Sequence, residues 1–72
     1  MKVLDLHGYR HHEVPNALHS FINSNLGEEL KIIFGNSPRM RDIVLKTLEP
    51  YGFRITRLDL LLNKRYITIL TI

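Results

Sequence analysis

Apolar positions change their spacing several times along this 72-residue chain, and each change predicts a new element. Val3 to Leu6 alternates weakly and stops at His7-Gly8, the pattern of a short strand ending in a turn. From Val14 the interval lengthens: Val14, Ala17, Leu18, Phe21, Ile22 and Leu26 recur at helical spacing and form one apolar stripe. Pro15 has no N–H and is tolerated only in a first turn, so the helix is predicted from Glu13 to Asn25, with Gly27 as its stop. Glu13 then sits in the first turn, where the helix dipole favours a carboxylate. Leu30 to Phe34 is a compact apolar run, read as a second strand, and Gly35-Asn36 turns the chain. Ser37-Pro38 is an N-cap followed by proline at the first helical position. It opens a second helix over 38–49, striped by Met40, Ile43, Val44 and Leu48 and ended by Glu49-Pro50 and Gly52. Phe53 to about Leu61 and Tyr66 to Ile72 are β-rich, joined through Asn63-Lys64-Arg65 as a hairpin.

The order βαβαββ predicts one α/β (α+β) domain spanning residues 1–72. Right-handed strand–helix–strand crossovers put both helices over the same face, giving a two-layer sandwich with a four-stranded mixed sheet and one open sheet face. Leu4, Leu6, Leu30, Ile32 and Phe34 are expected to face the helices, and Leu18, Phe21, Ile32, Phe34, Val44 and Leu48 to be buried. Asp5 and His7, two apart on a strand, point together to the other face. The last strand, YITILTI, is apolar on both faces, which predicts a central strand and an apolar open face able to self-associate weakly.

Composition narrows the class. A domain this small buries about 60% of the surface its unfolded chain exposes. The chain has no cysteine, so neither disulfides nor thiolate–zinc sites reinforce it. Ten Lys and Arg against seven Asp and Glu give a net charge of +3, compatible with a phosphate-bearing partner. No apolar run is long enough to span a membrane, and MKVLDLHG lacks the apolar region of a secretory signal, so a cytoplasmic protein is expected.

Two constellations carry candidate chemistry. Asp5 and His7 lie at a strand's carboxyl end, where α/β folds bind ligands. There an aspartate can orient an imidazole that moves a proton. The same pair also serves as a capped turn, and spacing alone does not choose between the two. The second is Gly35-Asn36-Ser37-Pro38-Arg39-Met40-Arg41, a helix start whose N–H groups and arginines suit an anion, or else an ordinary capped helix with solvated arginines. Both constellations end strands that are expected to be neighbours. Arg54, Arg57, Lys64 and Arg65 make a basic hairpin, and Tyr9 and Tyr66 are candidate stacking residues, Tyr66 equally a residue of sheet packing. His11 and His12 are read as phosphate contacts when protonated or as neutral surface residues with no function, and His19 as solvated on the polar face of helix one. The spacing of Asp5, His7, His11 and His12 matches no zinc pattern, so no cofactor is predicted.

Leu4-Asp5-Leu6-His7-Gly8, four residues, then Glu13 resembles the opening motif of the Smr (small MutS-related) domain, L-D-L-H-G-x4-E-A, with Val14 in place of the alanine. Ile32 to Ser37 stands where that family has a strand and an H-G-x-G turn, and Leu62 to Arg65 where it has a glycine-rich loop before a final strand. The resemblance implies the βαβαββ fold of the C-terminal domain of translation initiation factor three. It also implies nucleic-acid binding, with endonuclease activity in some members and action on mRNA at stalled ribosomes in others. Asp5, His7 and Gly8 match its first motif, and Gly35 the first glycine of its second. Phe34 replaces the histidine before that glycine, Ser37 the second glycine, and Asn63-Lys64-Arg65 the third loop's glycines. A loop without those glycines holds its backbone further from a phosphate.

Three readings follow. In the first, an Smr-like domain binds RNA or DNA and cleaves phosphodiesters: Asp5 and His7 are catalytic, a divalent ion is optional, and Gly8, Gly35, Asn36, Ser37, Arg39, Arg41, Lys64 and Arg65 contact the nucleic acid. In the second, the same surface only binds nucleic acid or the ribosome. In the third, the open sheet face mediates oligomerisation.

Overall fold

The computed structural model describes residues 1–59 and 65–71. Strand β1 (Lys2–Asp5) leads through a 3-10 turn at His11–Glu13 into helix α1 (Val14–Asn23). Strand β2 (Glu29–Ile33) and helix α2 (Pro38–Leu48) follow, then a 3-10 turn at Glu49–Tyr51, β3 (Phe53–Asp59) and β4 (Tyr66–Thr71). The sheet order is β1-β2-β4-β3. β1 runs parallel to β2, while β4 is antiparallel to both of its neighbours. This is the expected α+β fold, with a four-stranded mixed sheet and the doubly apolar last strand inside it.

Local chemistry accounts for the helix boundaries. Glu13 Oε1 accepts from the Arg10 N–H at 2.8 Å, fixing the turn that enters α1. At the other end Asn25 Nδ2 donates to Phe21 O at 2.7 Å, competing with continued helix. Each end is thus a residue or two shorter than the apolar periodicity predicts. Ser37 Oγ accepts from the Met40 N–H at 3.1 Å, an N-cap on α2.

One sheet face and both helices share the core. Leu6, Leu30, Ile32, Phe34, Ile67 and Ile69 come from the sheet side; Val14, Leu18, Ile22, Met40, Val44 and Leu48 come from the helices. Phe21 and Leu4, expected inside, are only half-buried at its rim. Leu26, placed on the α1 stripe, lies past the helix end and is 58% exposed. His19 is not simply solvated, because its Nδ1 shares a hydrogen bond with the Tyr51 hydroxyl.

The helical layer stops short of mid-β3. Ile55 and Leu58 pair with the buried Ile69 and Ile67 yet remain 45% and 48% exposed. Between Ile55 and Arg57 the β3–β4 register shifts by a bulge at Thr56. The opposite sheet face is uncovered and mixed rather than apolar. Register places Asp5, Ile33, Tyr66 and Asp59 in one row, and Val3, Lys31, Thr68 and Arg57 in the next. No described helix is long and apolar enough to cross a membrane.

Candidate functional site

Strand β1 pairs Asp5 with Ile33, and the Leu6 N–H donates to Ile33 O at 2.8 Å, carrying the parallel ladder up to His7. Both side chains therefore stand at the carboxyl end of the two parallel strands. Asp5 Oδ1 accepts from the His7 ring at Nδ1, 2.6 Å away, and from the His7 N–H at 3.1 Å. These two bonds, the ring contact foremost, hold the Asp5 carboxyl below its ordinary range. An ionised carboxylate can only accept, so Nδ1 carries the proton and Nε2 is the nitrogen left to act. The His7 side chain is 74% exposed, so Nε2 is accessible to a large substrate.

Gly35 sits directly beside this dyad. A Cβ built at Gly35 would lie 3.7 Å from His7 Cβ, and its φ of +70° is a conformation that side-chain-bearing residues rarely adopt. The Gly35 and Phe34 N–H groups both donate to Arg65 O, at 3.2 Å and 3.1 Å. Arg65, from the hairpin, is thereby tied to the same end of the sheet. Asp5-His7, Gly35 and Arg65, some 30 residues apart in steps along the chain, thus form one continuous surface. The Gly35 N–H is already used, so what this glycine offers a ligand is close approach and not a free donor. Gly8 differs: it has no positive φ, and a side chain there would meet no heavy atom within 4 Å. Neither turn geometry nor packing demands a glycine at that position.

The other candidates are less tightly joined. Asn36 and Arg39 are exposed, and Ser37 is committed to its capping bond. Arg41 Nε lies 3.6 Å from Asp42 Oδ1, so part of its charge is answered within the helix. No described hydrogen bond or ion pair links Arg39 or Arg41 to the dyad. Lys64 falls outside the described residues. Among the described residues no group of three or more His, Cys, Asp or Glu side chains is placed to hold a metal ion.

Away from the dyad lies a concave region that the sequence signals only through Arg57 and Tyr66. A groove of about 230 Å³ crosses the open sheet face, lined by residues that include Lys31, Arg57, Tyr66 and Thr68. Lys31 Nζ lies 4.1 Å from the centroid of the Tyr66 ring. Alternation along β2 carries the missing signal, since Glu29, Lys31 and Ile33 fall opposite in phase to the buried Leu30 and Ile32. Comparison of the chain with protein-family models, curated proteins and solved structures finds no match.

Proposed function

We propose that this is an Smr-like nucleic-acid-binding domain, acting in the cytoplasm, whose contact surface is the sheet end built from Asp5, His7, Gly35 and Arg65. The observation that carries this reading is the convergence of three distant segments there, with His7 against Gly35 and Gly35 bonded to Arg65. An exposed imidazole and a close backbone approach at Gly8 and Gly35 suit a phosphodiester chain, and Arg39, Arg41, Lys64 and Arg65 are the cations proposed to meet its phosphates. The net charge of +3 adds attraction that is not specific to sequence.

The 2.6 Å Asp5–His7 hydrogen bond favours a catalytic form of the same reading. His7 Nε2 takes the proton of an attacking hydroxyl or water, the new P–O bond forms, and the leaving oxygen departs and is protonated by solvent. Asp5 keeps Nδ1–H in place and stabilises the imidazolium that results. Side-by-side time courses of wild type and His7→Ala on labelled RNA and DNA test this step. Cleavage lost in the variant supports it, whereas identical traces assign any cleavage to a contaminant and leave a binding module. Binding is tested separately: affinity is expected to fall as salt rises, and to fall further in Arg39→Glu with Arg41→Glu. Unchanged affinity in that double variant removes the α2 arginines from the surface.

A further inference from the structure

We infer that the open sheet face is a second contact region, a track for single-stranded nucleic acid leading away from the Asp5–His7 end; this rests on the nucleic-acid reading above. Thr68 forms the floor of the groove. It is 4% exposed, and its register partners on either side are Lys31 of β2 and Arg57 of β3. A short side chain between two long cationic ones makes a trough whose walls are positive. Neighbouring strands lie about 4.8 Å apart, so the backbones of Lys31 and Arg57 are separated by roughly 10 Å, a span that suits a phosphate between their side chains.

Tyr66 is two residues along the same strand, on the same face. Its row also contains Asp59, its partner on β3, and Asp5, two strands away across Ile33, so the phosphates are placed in the next row and not in this one. The track therefore begins in the row of the dyad. Lys31 rests on the Tyr66 ring in the unbound protein. Base stacking on an aromatic ring is worth more than an exposed cation–π contact, so an arriving base displaces the ammonium, which is then free to meet the phosphate. Glu29, at the far end of the groove, repels phosphate and confines the backbone to the Lys31–Arg57 row. A flat aromatic ring with Lys31 on its face, next to the Lys31–Thr68–Arg57 row, fits a nucleotide better than an acidic peptide, which has no π-face to stack. A duplex keeps its bases stacked on one another and does not offer them to Tyr66, so the ligand is single-stranded.

Fluorescence anisotropy with labelled oligo-U, oligo-dT, a hairpin duplex of equal length and polyglutamate tests this directly. Wild type is expected to prefer the single strands. Lys31→Gln and Arg57→Gln should each lower the slope of log affinity against log salt by about 0.7, the value for one single-strand phosphate contact. Tyr66→Leu should weaken single-strand binding about tenfold while leaving polyglutamate unaffected. Lys31 and Arg57 lie at the surface, so their variants keep the test open even where Tyr66→Leu disturbs the sheet. Wild-type salt slope and affinity in both cation variants, with binding still sensitive to the Arg39 and Arg41 substitutions, would overturn the track and leave the sheet-end reading standing. Equal affinity for polyglutamate and oligo-U would overturn it in favour of a general polyanion surface. No oligonucleotide binding by wild type would remove both.

Discussion

Strand β4 shows two environments one residue apart. Ile67 and Ile69 are fully buried against the helices, while Tyr66 and Thr68 line an open groove beside Lys31 and Arg57. The backbone is the same and the strand is central; the alternation of the side chains sends one set into the apolar core and the other to the groove, where Tyr66 is half-buried and Thr68, at the floor, is buried. The inner face is held by burial of apolar area, which tolerates little change. The outer face is held by the same ladder but contributes little packing of its own, so its residues are free to serve a ligand.

The strongest way to break this contrast is to empty one site on each face. Leu18→Ala should cost about 2–5 kcal/mol by urea denaturation, a large share of the total for so small a domain. Phe21→Ala, at the rim, should cost less than Leu18→Ala, and Lys31→Gln should fall within about 0.5 kcal/mol of wild type. Comparable losses at Leu18 and Lys31 would mean that the two faces are not distinct.

A smaller effect separates two glycines at the sheet end. Gly35→Ala forces a side chain into φ +70° and should cost about 1–2 kcal/mol, with the strain in the backbone because His7 Cβ, at 3.7 Å, is only in ordinary contact. Gly8→Ala meets nothing and should leave stability within about 0.5 kcal/mol. If Gly8→Ala nevertheless weakens oligonucleotide binding, the glycine serves the ligand and not the fold.

The smallest effect is electrostatic. Asp5 has a lowered pKa in the folded state, chiefly through the His7 ring. Its contribution to stability is therefore present above the ordinary aspartate value and is lost as pH falls through the lowered folded-state value. An NMR titration of the Asp5 carboxyl should give a midpoint below that of an unperturbed aspartate, returning towards it in His7→Ala.

Much of this was legible in the sequence because periodicity reports burial. The stripes of α1 and α2, the proline at each helix start and the doubly apolar β4 all predict what the fold contains. Asp5-His7 was legible because residues two apart on a strand share a face. Features that depend on tertiary placement were not. The carbonyl of Arg65 has no side-chain signature, yet it joins the hairpin to Gly35. His19 read as solvated because Tyr51, its partner, is 32 positions away. The Lys31–Thr68–Arg57 row requires the strand order, and Arg57 reaches it only because the bulge at Thr56 shifts the alternation of β3.

Strand β1 is four residues long and pairs with β2 alone. Edge segments of that kind detach in partial openings that leave the rest of a sheet paired. Such an opening would carry His7 away from Gly35 while β2, β4 and β3 stayed together and the helices still covered them. The opening also uncovers Leu6, which is fully buried in the core, so it has a cost of its own. Hydrogen exchange of the Leu6 N–H at a lower free energy than that of β2 and β4 would show the sheet end coming apart before the domain unfolds.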